Sequence, residues 1–381
     1  MTTWHLECSE CPRRAPGATR ASVCPDCGRP FLVRYDSPFP ARDTLVQRWD
    51  MWRYAAALPL AEFESPVSLG EGLTPLHELP ALAGRLGVRH AWVKDEALNP
   101  TASFKARGMS AAVTRARALG VPGLVVPTAG NAGAALAAYG AAAGLPVRVY
   151  APDATPRAIL ETIESFGASL HLVAGHIGDA GKEARRYAAE CGYFDVSTLR
   201  EPYRIEGKKT LGLELAEQLG WRLPTHVLYP TGGGTGLIGM WKVFNEMRAA
   251  GWLDRDQRLP RMIVAQSTGC APIVRAFAAG ATRATPWDEP VTHASGLRVP
   301  APLGDTLALR ALRESDGDAV AVPESAIRDA TRNLARLSGV DASPEGGCAL
   351  AAAEALAAAG RLPPDADVVI FNTGSGASYR S

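Results

Sequence analysis

Net charge is the first thing this 381-residue chain lacks: 40 Lys and Arg stand against 39 Asp and Glu, a formal +1. That balance gives no global field for gathering phosphate backbones or anionic lipid surfaces, so neither nucleic acid nor a membrane is expected as a partner. Long apolar runs are missing as well, since no segment reaches the roughly 20 uninterrupted apolar residues of a membrane span. The start MTTWHLECSECPRR has no basic region followed by an apolar stretch, so no secretory signal is expected and the cytoplasm is the expected location. Histidine is scarce. His77, His171, His176, His226 and His293 never pair at metal-ligand spacing and read as surface or satisfied core residues. Internal repeats and low-complexity tracts are absent. What remains is ordinary globular composition, 47% hydrophobic and 21% charged, at a length that suggests two to three units of about 150 residues.

Seven cysteines are present, an odd number that argues against a complete disulfide framework. Four of them read Cys8-x-x-Cys11 and Cys24-x-x-Cys27, a spacing at which two tight knuckles present four thiolates to one zinc ion. A closed four-thiolate site leaves no position for water, so the expected metal is a structural staple within a ribbon of residues 1–36. The competing reading is four free thiols or two accidental pairs. Five Arg against three acidic residues in positions 1–34 are too few for phosphate-backbone binding. Cys191, Cys270 and Cys348 read as small buried apolar groups.

After the Pro-rich joint Ser37-Pro38-Phe39-Pro40 and a stretch holding Trp49 and Trp52, short β-branched runs alternate with Ala/Leu-rich segments of helical period. The runs are AWVKDE, LVVPT, VRVYA, LHLV, HVLYPT, MIVAQ and DVVIFNT. Such alternation predicts an α/β fold of parallel or mixed sheets wrapped by helices, with ligands at the carboxyl ends of the strands. Thr155-Pro156 predicts a cap and first helical turn ahead of AILETIESFGA, closed by Gly167.

Three turns rich in small and hydroxyl residues follow apolar runs: Pro127 to Gly133 (PTAGNAG), Thr231 to Gly236 (TGGGTG) and Asn372 to Gly376 (NTGSG). Glycine lets backbone N–H groups converge, and a helix opening there favours an anion such as phosphate. The middle loop lies between strand-like HVLYP and helical LIGMWKVFNEM. It reads as a phosphate grip, or as a plain turn; the dinucleotide fingerprint is not matched in spacing. In NPTASFKARG, Thr101 or Ser103 can cap a helix whose first turn holds Lys105. The helix dipole opposes a cation there and lowers an amine's pKa, which suits a nucleophile that forms a Schiff base. A solvated structural lysine is the other reading.

These residues resemble a known family. SFK, the segment Gly70-Glu71-Gly72-Leu73-Thr74-Pro75-Leu76, PTAGNAG, GGGTG and TGSG, all within residues 66–378, look like pyridoxal-phosphate enzymes of the tryptophan-synthase-β fold, and among them the threonine synthases. PYRIEGKKT at 202–210 and the N-terminal ribbon are similar to threonine-synthase sequences too. The resemblance implies a large cofactor-binding domain of residues 37–104 and 200–381, a small domain of 105–199, and a cleft between them. It implies that Lys105 holds pyridoxal 5'-phosphate as a Schiff base and shuttles protons. Asn131 would bond the cofactor's 3'-hydroxyl, Gly232, Gly233, Gly234, Thr235 and Gly236 its phosphate, and Thr373 its ring nitrogen. Thr128, Ala129, Gly130 and Asn131 would cradle the carboxylate of a small-molecule amino-acid substrate, with Arg204 taking a phosphate or carboxylate beside Thr198 and Lys208. The implied reaction is loss of phosphate from O-phosphohomoserine and addition of water to give threonine, in a homodimer.

Departures from the family pattern bear on the substrate. Ala106 stands where SFKDRG has Asp, Ala377-Ser378 where a lysine follows TGxG, and Ala132, Leu199 and Glu201 where phosphate donors are expected. An ammonia-lyase or β-replacement enzyme acting on threonine, serine or a related hydroxyamino acid is therefore the alternative. A non-enzymatic ribbon protein with a decayed α/β body is a third reading, opposed by Lys105, Asn131 and the glycine loop standing in one chain. His293-Ala294-Ser295-Gly296-Leu297 is a further candidate to line the cleft.

Overall fold

A computed structural model describes residues 3–380. The chain opens with β1 (Trp4–Cys8), β2 (Arg14–Pro16) and β3 (Phe31–Tyr35), an antiparallel sheet of order β2-β1-β3. Next come β4 (Leu76–Glu78), α1 (Pro80–Leu86), β5 (His90–Asp95) and α2 (Lys105–Ala118). A repeating strand-helix section follows: β6 (Leu124–Pro127), α3 (Asn131–Ala143), β7 (Val147–Pro152), α4 (Arg157–Ser165), β8 (Ser169–Val173), α5 (Ile177–Cys191) and β9 (Phe194–Asp195). Its four strands are all parallel, in the order β8-β7-β6-β9.

The chain then continues through α6 (Tyr203–Gln218), β10 (His226–Pro230), α7 (Thr235–Ala249), β11 (Arg261–Ser267), α8 (Pro272–Ala278) and α9 (Asp305–Glu314). It ends with β12 (Asp318–Val322), α10 (Glu324–Ser338), α11 (Pro344–Ala358) and β13 (Asp367–Asn372). These strands join the earlier pair in a six-stranded sheet, β12-β11-β10-β13-β5-β4, parallel except for β4. Central strands covered on both faces need continuous apolar runs, and β10 (HVLYP) is buried at every position. Among the described residues no helix is long and apolar enough to cross a membrane.

Several local expectations change. Pro156, not Thr155, occupies the cap of α4, which starts at Arg157 without a side-chain cap. The Thr155 hydroxyl is buried and unpartnered. Thr101 and Ser103 do not cap α2: Thr101 bonds Pro100 O at 2.6 Å and the cap position is Phe104. Cys191, at the end of α5, is exposed rather than buried, whereas Cys270 and Cys348 are buried. The ribbon is built into the body: Leu6, Cys8, Phe31 and Val33 share one core with Ala106 and Met109 of α2 and Leu124 and Val126 of β6.

Candidate active site

A cleft of about 790 Å³ opens where strand ends of both parallel sheets meet. β6 delivers Thr128, β7 delivers Asp153, β10 delivers the glycine loop and β13 delivers Thr373. Lys105, Thr128, Ala129, Gly130, Asn131, Arg204, Gly232, Gly233, Gly234, Thr235 and Thr373 all line it. Gly236 does not; it sits in the first turn of α7, where an added Cβ would lie 2.0 Å from Tyr229 Oη.

Lys105 is the first residue of α2. The segment before it is held in an uncommon conformation, with Thr101 at φ 59° and Ala102 at φ 54°. Such left-handed non-glycine residues persist only where surroundings fix them. Here the fixing partner is the terminal loop: Ser375 N–H donates to Ala102 O at 3.0 Å and Phe104 N–H to Thr373 O at 3.1 Å. Burial first, then the charge of Arg204, pulls the Lys105 ammonium down to about 8 against the opposing charge of Glu345. Lys208 is also fully buried and donates to Phe104 O. Burial, then Lys105, pushes its pKa well below the ordinary lysine range.

The glycine loop meets its surroundings at backbone distance. An added Cβ would lie 2.2 Å from Gly296 O at Gly232 and 2.7 Å from Thr198 Cγ2 at Gly233, so side chains are excluded. Gly234, at φ +77°, turns the chain into α7. Among the described residues the N–H groups of Gly232, Gly233 and Gly234 have no acceptor, which leaves three donors beside a helix N-terminus for an anion. Across the cleft, Thr128 Oγ1 accepts from Gly130 N–H at 3.0 Å and Gly133 N–H at 3.3 Å, fixing the turn that presents Asn131.

Arg204 is 2% exposed and therefore cannot be a surface ion pair. Nη1 donates to Val196 O at 2.7 Å, and Nε has no partner. Among the described residues no carboxylate comes within salt-bridge distance of the guanidinium, which feels the charges of Glu201 and Asp195 only through space. Glu201 is turned away: its carboxylate accepts from Tyr203 N–H at 2.7 Å and Arg204 N–H at 3.0 Å, capping α6. Burial raises its pKa to about 7. Ser295, Gly296 and Leu297 line the cleft as expected of that loop, while His293 turns to Glu324. Glu345 and Tyr379, which sequence reasoning passed over, line it too.

A lysine amine of lowered pKa, a cluster of free N–H groups and an Asn and a Thr facing one cavity fit an aldehyde cofactor with a phosphate tail. A protein-family model described as "Pyridoxal-phosphate dependent enzyme" matches residues 67–374. The chain belongs to this family. It is 35% identical to a threonine synthase from Methanosarcina acetivorans, over 97% of this chain and 91% of the relative. A threonine synthase from Methanocaldococcus jannaschii is also 35% identical, covering 86% of this chain and 80% of the relative. Among solved structures, the T.th. threonine deaminase superposes with a TM-score of 0.66 at 27% identity, covering 79% of this chain and 92% of that one. Maize serine racemase gives 0.68 at 22% identity, covering 80% and 88%, a likeness of fold. The chain is thus a pyridoxal-phosphate-dependent lyase of the tryptophan-synthase-β-like fold.

The four ribbon cysteines bring their sulfur atoms within 4.8 Å of one another. Cys8 and Cys27 lie 3.4 Å apart, Cys11 and Cys24 3.6 Å, and Cys11 and Cys27 3.7 Å. A tetrahedral zinc with bonds of about 2.3 Å spaces its thiolates by about 3.8 Å. The cluster is compatible with that metal.

Proposed function

We propose that this lyase acts as a threonine synthase does, taking O-phosphohomoserine, releasing its phosphate and adding water at the β-carbon to give threonine. One observation carries the reading: Arg204 is a buried guanidinium in the cleft with a free Nε and no carboxylate partner, an arrangement that is costly until an anion supplies the missing acceptor. The threonine-synthase relatives support it. In this reading Lys105 holds the cofactor covalently and moves protons between substrate carbons. Asn131 bonds the 3'-hydroxyl, Gly232, Gly233, Gly234 and Thr235 hold the phosphate, and Thr373 faces the ring nitrogen. Thr128, Ala129 and Gly130 receive the substrate carboxylate, and Arg204 with Thr198 its leaving phosphate. Pyridoxal phosphate, when bound, supplies the electron sink for carbanions beside the amino group.

The reading also assigns residues 37–104 and 200–381 to a large domain and 105–199 to a small one, zinc to Cys8, Cys11, Cys24 and Cys27, and a homodimer to solution. A second reading, an ammonia-lyase or β-replacement enzyme acting on hydroxyamino acids, is favoured by Glu201, whose carboxylate occupies the α6 N-terminus that would otherwise offer N–H donors to a phosphate. Product analysis of the holoenzyme separates them. Orthophosphate and threonine from O-phosphohomoserine are expected; ammonia and a 2-oxo acid from threonine, with no phosphate release, would transfer the assignment to the second reading.

A further inference from the structure

Glu345 is a buried carboxylate in the cleft that no role above uses. It is the second residue of α11 and is 5% exposed. One oxygen, Oε1, is anchored by Gly296 N–H at 2.8 Å and by the Tyr379 hydroxyl at 2.9 Å. The other, Oε2, is buried without any hydrogen-bond partner. A carboxylate oxygen can only accept, and leaving one buried and unpaired is costly, so the site is complete only when something in the cleft donates to it. Tyr379 remains a donor, because burial and the neighbouring carboxylate hold its phenol well above the ordinary range. The pair lines the same cleft as Asn131 and Lys105, and the Glu345 charge is felt at the Lys105 ammonium.

We infer that Oε2 of Glu345 holds the water that adds to the substrate, with Tyr379 as the positioning residue that fixes the carboxylate. The inference rests on the hydrating lyase reading above. O-phosphohomoserine brings no donor on its side chain, whereas water brings two. In the step, one water O–H bond breaks and its proton passes to Oε2. Phosphate loss leaves a double bond between the β- and γ-carbons; once the proton taken from the β-carbon is delivered to the γ-carbon, the double bond joins the α- and β-carbons, and the water oxygen forms its bond to the β-carbon. The electron pair of the α,β double bond moves to the α-carbon, which takes a proton from Lys105. The proton on Glu345 then returns to the Lys105 amine, so the net change is addition of one water. Without a held water, the unsaturated skeleton leaves and hydrolyses to a 2-oxo acid and ammonia.

The experiment is a partition measurement on cofactor-loaded parent, Glu345→Gln, Glu345→Asp and Tyr379→Phe, given O-phosphohomoserine. Orthophosphate, threonine and 2-oxo acid are assayed in the same samples, and cofactor absorbance is recorded. Glu345→Gln is expected to lower the ratio of threonine to 2-oxo acid about tenfold, equivalent to about 1.4 kcal/mol between the two exits. Glu345→Asp is expected to restore part of that ratio and Tyr379→Phe to shift it in the same direction by less. An unchanged ratio in Glu345→Gln, or threonine and phosphate falling in equal proportion, overturns the inference while the lyase reading stands. A parent holoenzyme that releases no phosphate overturns both.

Discussion

At Lys105 a cation and a low-dielectric site are opposed, and the site wins: burial and the Arg204 charge bring the amine to about 8. Only the neutral amine attacks an aldehyde. Below that pH the neutral fraction rises about tenfold per unit, and above it the fraction saturates. Cofactor uptake by the apoenzyme is therefore expected to accelerate steeply up to about pH 8 and then level off, followed by stopped-flow absorbance. Arg204→Met removes a like charge that disfavours the ammonium, so its midpoint moves to higher pH; a midpoint that stays put would mean that Arg204 is not electrostatically coupled to the amine. Borohydride should fix the cofactor on Lys105, and Lys105→Ala should purify colourless beside a yellow parent. Lys105 was legible because a basic residue at a helix start contradicts the dipole. Glu345 was not, because an acid in the first turn is what the same dipole favours, and nothing in Ser343-Pro344-Glu345 reveals that one of its oxygens has no partner.

The helix that carries Lys105 is set in place by α6. An added Cβ at Gly207 would lie 2.1 Å from Arg107 O, so the two backbones nearly touch, and Gly207→Ala overpacks the crossing. Beside it Arg107, fully buried, donates to Glu96 at 2.7 Å and to Glu214 at 2.8 Å. Lys94 pairs with the other oxygen of Glu214. Removing one partner of such a network strands a charge, at a cost of about 3–5 kcal/mol. Glu214→Ala is expected to lose about that much stability in urea unfolding, with Arg107 and Lys94 both left short of an acceptor. A loss below about 1 kcal/mol, the worth of an exposed pair, would show that the network relaxes around the gap. The strands that flank these helices were readable from their β-branched runs. β12, β4 and β9 were not, because five, three and two residues carry too little periodicity to separate strand from loop. Nor was the network, since Lys94, Glu96, Arg107 and Glu214 are brought together only by the packing of distant segments.

At the scale of the molecule, the ribbon joins the two sheets' surroundings instead of hanging from them. Leu32 packs with Leu199, Ile205, Ile238 and Leu307, Arg29 pairs with Asp305 at 2.8 Å, and the Tyr35 hydroxyl donates to Glu206 at 2.5 Å. Tyr203 Oη, one residue from Arg204, donates to Gly17 O at 2.9 Å. The paired knuckles were evident in the cysteine spacing, but this docking was not, because it depends on apolar positions that any small sheet would show. The packing has a thermodynamic consequence. A ribbon that shares a core with α2 and β6 cannot melt alone without exposing that core to water. The metal-loaded protein is expected to carry about one zinc per chain. Stripping it with a chelator is expected to lower the midpoint of thermal unfolding while leaving one transition, with loss of cofactor absorbance and loss of far-UV ellipticity coinciding. An early ellipticity change that leaves the cofactor signal intact would instead mean that the ribbon folds as an independent unit and that its contacts with Ile205 and Tyr203 do not steady the cleft.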